Sequence, residues 1–405
     1  MPKYRLSIPV LAFTALLLVL FTGQARAEAS LSSVTSYTSW EEEDGTGNTA
    51  ASQYVLLSNR GTLGGYRLDV EGYGRVTAVG EEVEPGDDNP NRLYTLAATL
   101  TGAQGRNSMT FGRQYIPALA GPRFLDGLNL TADFDKLSVN ARWGYTADVT
   151  GDAGISKADE VLGAGLDYRL KTGMYLSLDY GRTMDDDSLL TEFIATEWAY
   201  SWYRFTRAYA SFNWDLMSKT LHESLVGTRL HFSDRFSAIF ELSHNVQSFD
   251  SDSIYSVFAI SAAYSRTFSL LFTPSMNTRY LWDYTVENYQ EGGGGRRYEV
   301  SGRWTPGRSK ISASLLQHQG SGGDLVEVST GLSTRLGDRW DVGIGGDVSR
   351  SQKNKGENTV GSSLVYCGGR VKTSDSSSLD LRIERTDDDL FPESLSGRIA
   401  FELEL

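Results

Sequence analysis

Apolar and polar side chains alternate with a period of two along most of this chain. From Phe236 the even positions read Phe236, Ala238, Phe240 and Leu242, while the odd ones read Arg235, Ser237, Glu241, Ser243 and Asn245, with Ile239 the exception. A residue pattern that repeats every second position puts one face of a strand against apolar surroundings and the other against water. The same alternation runs through Val326, Val328, Leu332 and Leu336, turns at Gly337-Asp338, and resumes in Trp340, Val342, Ile344 and Val348, which predicts a hairpin. It recurs in Tyr66-Leu68-Val70, Leu137-Val139-Ala141-Trp143, Leu162-Ala164-Leu166-Tyr168 and Leu379-Leu381-Ile383. Stripes of helical period are nearly absent.

A soluble sandwich alternates too, so the solvent on the apolar side has to be read from other features. Charged residues fall on the polar face in mid-strand, and aromatic residues collect toward strand ends, as in Trp198-Tyr200-Trp202-Tyr203-Phe205 and Tyr280-Trp282-Tyr284. That is the pattern of a water-filled lumen and of aromatic girdles at the two membrane interfaces. Short connections (Gly61–Gly64, Lys171–Gly173, Ser233–Arg235, Gly307–Ser309, Ser374–Ser376) interleave with long polar ones at Glu41–Ala50, Gly80–Asn91, Tyr115–Gly127, Thr150–Asp159, Glu287–Arg297 and Gln352–Asn358. A count of about 22 strands, within a range of 18–22, places every long connection on one side. The prediction is an all-β transmembrane antiparallel β-barrel with short periplasmic turns and longer extracellular loops. Leu395, Gly397, Ile399, Phe401, Leu403 and Leu405 carry the alternation to the last residue, so the barrel closes on the C-terminus. This resembles the terminal strand read by the barrel-assembly machinery, although that signal usually ends in Phe or Trp and this one in Leu405.

The N-terminus predicts how such a chain is delivered. Lys3 and Arg5 precede an apolar run from Ile8 to Phe21, and Ala25-Arg26-Ala27 supplies a small-x-small cleavage pattern, so residues 1–27 read as a Sec signal peptide and 28–405 as one barrel domain. Alternation begins almost at the cleavage site, which leaves no separate plug segment. Cleavage removes three basic residues and no acid, leaving 35 basic against 51 acidic side chains and a formal charge of −16. Nucleic acid is therefore not an expected partner, because phosphate binding needs a basic face. Outer-membrane lipid, lipopolysaccharide and the assembly machinery are.

Candidate chemistry is sparse. Cys367 is the only thiol and cannot form an internal bridge, and no Cys-x-x-Cys-His for covalent haem is present. His222, His231, His244 and His318 show no metal-ligand spacing. With no nucleophile elbow or phosphate-binding loop either, no catalytic residue, cofactor or metal is assigned.

One connection differs from the others. Met109-Thr110-Phe111-Gly112-Arg113-Gln114-Tyr115-Ile116-Pro117 leads into Ala118-Leu119-Ala120-Gly121-Pro122-Arg123-Phe124-Leu125-Asp126-Gly127. This stretch, together with the strand pattern, resembles bacterial porins, in which a Gly-Arg-Gln-like strand precedes the third outer loop and that loop folds into the lumen to narrow the pore. The acid-rich Pro-Glu-Phe-Gly-Gly type sequence of general porins is missing. The resemblance implies that Tyr115–Gly127 folds inward, with Arg123 and Asp126 at or near the narrowest point. Its apolar residues Ile116, Leu119, Phe124 and Leu125 would gain by burial against the wall. Arg67, Asp69, Glu71, Arg75 and Arg142 are further constriction candidates, on a lumen face shared with Asp167, Arg169, Asp179, Glu327, Arg335, Asp341 and Asp347.

Two functions follow as expectations. One is an outer-membrane channel for passive diffusion of small hydrophilic or ionic solutes, preferring cations. The acidic runs Glu41-Glu42-Glu43-Asp44, Glu81-Glu82-Val83-Glu84, Asp185-Asp186-Asp187 and Asp387-Asp388-Asp389 all fall in outer loops, where divalent cations could also bridge them to lipopolysaccharide phosphates. The other is a barrel scaffold, similar in size and in its acidic loops to those that sheathe multihaem cytochromes for electron transfer across the outer membrane.

Overall fold

The computed structural model describes residues 28–41, 47–79, 92–121, 124–147, 159–170, 173–185, 188–202, 206–245, 262–289, 293–321, 323–352, 359–389 and 394–404. They form one 22-stranded antiparallel sheet. The first half comprises β1 (Glu28–Glu41), β2 (Gly47–Leu63), β3 (Tyr66–Val79), β4 (Arg92–Thr101), β5 (Asn107–Tyr115), β6 (Phe124–Phe134), β7 (Leu137–Thr146), β8 (Glu160–Arg169), β9 (Met174–Asp185), β10 (Ser188–Trp202) and β11 (Thr206–Asp215). The second comprises β12 (Thr220–Ser233), β13 (Phe236–Asn245), β14 (Ala262–Ser275), β15 (Thr278–Tyr289), β16 (Gly294–Trp304), β17 (Ser309–Gly320), β18 (Asp324–Leu336), β19 (Trp340–Gln352), β20 (Val360–Ser374), β21 (Ser377–Asp388) and β22 (Ser394–Glu404). Each strand pairs with its sequence neighbours, and β1 closes on β22 from Ser32↔Glu404 to Ser39↔Gly397. Closure leaves no unpaired strand edge, which a lipid environment would not tolerate.

The connections sort by length as the alternation predicted. Those after even-numbered strands are tight. Gly64 and Gly65 join β2 to β3 with φ of 57° and 86°, the pair of left-handed residues that a type I′ hairpin needs and that glycine adopts without strain. All six connections read as long from the sequence follow odd-numbered strands. Several boundaries differ: Gly47–Ala50 belongs to β2, Glu287–Tyr289 to β15 and Gly294–Arg297 to β16, and Tyr115–Gly127 is not a single loop, because Tyr115 ends β5 and Phe124–Gly127 already belongs to β6. The apolar residue Phe124 can pair in the ladder opposite Tyr115, and a paired backbone is favoured over an unpaired one.

Cross-strand partners share a face, so the register sorts the wall into two sides. One carries Leu166, Leu178, Val328 and Ile344, all exposed, and presents them to the bilayer. At the short-turn end this side ends in Tyr66, Phe134, Trp202, Phe232, Trp304 and Trp340, each more than half exposed, and at the other end Tyr37, Tyr115, Tyr145 and Tyr264 form the matching belt. These are two interfacial girdles on either side of an aliphatic band. The opposite side carries Ser177, Asp179, Thr183, Ser237 and Ser269, all buried, and faces the lumen. Ile239, out of phase in the sequence, pairs with Arg229 and Ser269 on this inner side. A barrel of 22 strands is too wide for such side chains to fill.

Candidate functional site: a loop anchored to the inner wall

The third outer connection, between β5 and β6, turns inward. Its start packs in a small apolar cluster of Ile116, Leu125 and Val161, with Ala118 against it, and Ile116, Leu125 and Val161 are each 5% exposed or less. On the lumen wall of a barrel these side chains would otherwise face water, and burying each one is worth about 1.5–3 kcal/mol. The hydrophobic content of the segment thus drives it onto the wall. Leu119 is half-buried, and Ala120 is fully buried.

Ala120 is held at both ends of its backbone. Its N–H donates to Asp179 Oδ2 at 2.9 Å, and its carbonyl accepts from Arg142 Nη2 at 2.6 Å. Arg142 in turn donates to Asp179 through Nη1 (2.8 Å) and Nη2 (3.1 Å), and to the Tyr180 carbonyl at 3.1 Å. Both side chains are almost fully buried. A buried ion pair stabilises only when its remaining donors and acceptors are satisfied; here the Ala120 backbone satisfies Asp179 Oδ2 and Arg142 Nη2, and Arg142 Nε is left without a partner. The loop and the pair therefore depend on each other.

Glycines make the space for this arrangement. Arg142 on β7 reaches β9 by lying across Gly163 on β8, where any side chain would run into the guanidinium. Gly181, the partner of Gly163, lies under the loop: a Cβ there would sit 2.8 Å from the Ala120 carbonyl oxygen. The alternating Gly163-Ala164-Gly165 and Gly181 were visible signals of a groove in the inner wall. What lies in the groove was not, because Arg142, Asp179 and Ala120 meet only once three strands are paired.

The other constriction candidates are distributed differently. Arg67, Asp69, Glu71 and Arg75 share the inner face of β3. Asp69 there accepts from Arg67 Nε at 2.6 Å and from Arg60 Nε at 2.9 Å. Asp69 and Arg142 stand in one row of the sheet four strands apart, about 19 Å at ~4.8 Å per strand, so they are not brought together. Arg123 lies outside the described residues. Asp126 is not at the narrowest point: it sits in β6, in the row of Tyr145, and accepts from Arg113 Nε (2.8 Å) and Nη2 (2.6 Å) on the outward side. The one-residue offset between Leu125, buried inside, and Asp126 decides this, since neighbours in a strand face opposite ways. Phe124 for the same reason packs edge-on against Tyr115 outside, with ring centroids 5.4 Å apart.

A second inner-wall feature is an aromatic column. Tyr54, Tyr73 and Tyr94 from β2, β3 and β4 stack with centroid distances of 6.4 and 4.9 Å. Beside them Arg75 pairs in register with Arg92. Elsewhere the lumen face interleaves opposite charges in ion pairs such as Arg297–Glu299, Arg335–Asp341 and Arg370–Glu402. Among the described residues no group of three metal-ligating side chains converges.

Comparison with solved structures agrees with the architecture. Pseudomonas aeruginosa OpdQ matches with a TM-score of 0.50 at 10% identity, over 94% of this chain and 99% of that one. The P pilus usher (PapC) translocation pore matches with a TM-score of 0.50 at 11% identity, over 93% and 99% of the two chains. A BenF-like porin from Pseudomonas fluorescens Pf-5 gives 0.49 at 11% identity, over 94% and 98%. No protein-family model and no curated protein matches this sequence. The likeness to the first two supports the closed β-barrel fold, and the site has to carry the function.

Proposed function

We propose that this protein is an outer-membrane channel for passive diffusion of small hydrophilic or ionic solutes, narrowed by the inward loop. The observation that carries this reading is the anchorage of Ala120 by Arg142 and Asp179 on the inner wall. A wide barrel needs something to set its bore, and a loop pinned to its inner wall does so without closing it. The same loop leaves less room for a protein guest, which ranks the channel ahead of a cytochrome scaffold. No catalytic constellation competes with it among the described residues. Residues 1–27 would serve as the export signal, with cleavage before Glu28.

Selectivity follows from where unbalanced charge lies. Ion pairs such as Arg297–Glu299, Arg335–Asp341 and Arg370–Glu402 offset part of the described lumen charge, and the mature charge of −16 together with the acidic outer runs favours cations. Among those runs Glu42–Asp44, Glu81–Glu84 and Asp186–Asp187 lie outside the described residues, and Asp185, Asp387 and Asp388 lie in the outer ends of β9 and β21 and not in loops. Reconstitution in a planar bilayer tests the proposal. Stepwise conductance with a reversal potential favouring cations is expected, and a folded barrel that conducts nothing would refute it.

A further inference from the structure

Charged side chains on the lipid-facing wall of β14–β21 gather at one end. The register puts Arg266, Arg296, Arg350 and Arg385 on the outward side, paired with Val286, Val286, Val326 and Val365 respectively. Each is the third to fifth residue from the outer end of its strand, and all four are exposed. Toward the turns the same side continues as Phe268, Tyr298, Val348 and Ile383 and ends in Trp304 and Trp340, with no further charged group among the described residues. Three acids share the outer level. Asp324 is turned onto the Gly320 N–H at 3.3 Å, Asp389 accepts from the N–H of Gly361, the cross-strand partner of Arg350, at 2.6 Å, and Asp387 lies two residues beyond Arg385. The described flank is therefore net positive on a chain that is strongly acidic.

Beside Arg296 the wall is hollowed. A cavity of about 750 Å³ at the outer ends of β15–β19 is lined by Asn288, Arg296, Gln319 and Gln352 and by the carboxylates Glu287 and Asp324, with glycines 294, 295 and 320 thinning the wall around it. Arg296 and Gln319 are direct cross-strand partners. Planar guanidinium forks match phosphate oxygens two at a time, and carboxamides both donate to and accept from sugar hydroxyls. The aliphatic and aromatic residues just below suit acyl chains.

We propose that this flank binds the phosphorylated sugar head of an outer-leaflet glycolipid of the lipopolysaccharide class, by direct arginine–phosphate contact. The inference rests on the chain being an outer-membrane barrel. Its position favours a lipid over a free solute, since the four arginines lie on the outside of the wall directly above the apolar band. It differs from bridging of the acidic loops by divalent cations, because it needs no metal.

The test titrates the full mature protein, extracted folded from outer membranes, with bisphosphorylated lipopolysaccharide in detergent and excess EDTA, reading bound lipid by native mass spectrometry. Binding should survive EDTA, weaken with salt, and fall about tenfold or more in Arg296→Gln/Arg350→Gln. Arg303→Gln, a lumen-side control, should leave it unchanged, and dephosphorylated lipopolysaccharide should bind the wild type as poorly as the double variant binds the intact lipid. Unchanged affinity in a double variant that keeps its heat-modifiable mobility would overturn the proposal. So would loss of wild-type binding in EDTA, or full competition by millimolar inorganic phosphate. If the double variant fails to fold, the single variants Arg266→Gln and Arg385→Gln carry the same comparison. Failure of the underlying reading looks different: the wild type would then show no heat-modifiable barrel and would not fractionate with outer membranes.

Discussion

Arg142 and Asp179 face each other across an intervening strand, and the same two groups hold the carbonyl and the N–H of one loop residue, Ala120. The loop's position depends on the pair.

Removing one partner should therefore do more harm than removing both. Arg142→Ala or Asp179→Ala leaves a buried charge without its counter-ion, at a cost of about 3–5 kcal/mol, whereas Arg142→Met/Asp179→Leu exchanges the pair for apolar volume and should lose less. Urea unfolding of the refolded barrels, followed by tryptophan fluorescence, compares them. Single variants as stable as wild type would mean that the pair is solvated.

Loop removal separates narrowing from folding. Deleting Ala118–Gly121 takes away the anchored segment and leaves Phe124–Gly127 in β6, so the barrel should still form while single-channel conductance rises. A folded deletion variant with unchanged conductance would place the bottleneck elsewhere.

Gly163 offers an independent probe of the same contact. Gly163→Val would push the Arg142 guanidinium off Asp179 and release Ala120, so its conductance and stability should approach those of Arg142→Ala. Gly165→Val, which meets the Asn140 amide instead, should leave the loop in place.

Selectivity can be moved from within the lumen. Arg75 and Arg92 are like charges in direct register, and Arg75→Gln/Arg92→Gln should strengthen cation preference in reversal-potential measurements. The effect should be largest well below 0.1 M salt, where screening lengths exceed about 10 Å. No change at low salt would remove these arginines from the conduction path.

N-terminal sequencing of protein from the envelope checks export. It should begin at Glu28, the first residue of β1. A mature chain still carrying Ile8–Phe21 would contradict cleavage.

The sequence by itself determined the barrel: a strand number near 22 within the range 18–22, the side on which the long connections lie and the face to which most side chains turn. All three rest on a period of two and on turn chemistry, which are local properties, and they held even at Gly337-Asp338 and at the C-terminal strand. It also marked the Tyr115–Gly127 stretch as unlike its neighbours, because an apolar run in a polar loop is a local anomaly. Which groups meet inside the lumen was decided only by the tertiary structure. Asp126 looked like a constriction residue until the register turned it outward to Arg113. Asp179 looked like one lumen acid among several until the pairing of β7, β8 and β9 set it opposite Arg142. Contacts between residues 37 or 59 positions apart depend on register and on the glycines that let side chains lie along the wall, and alternation in one strand carries no information about its neighbour's offset.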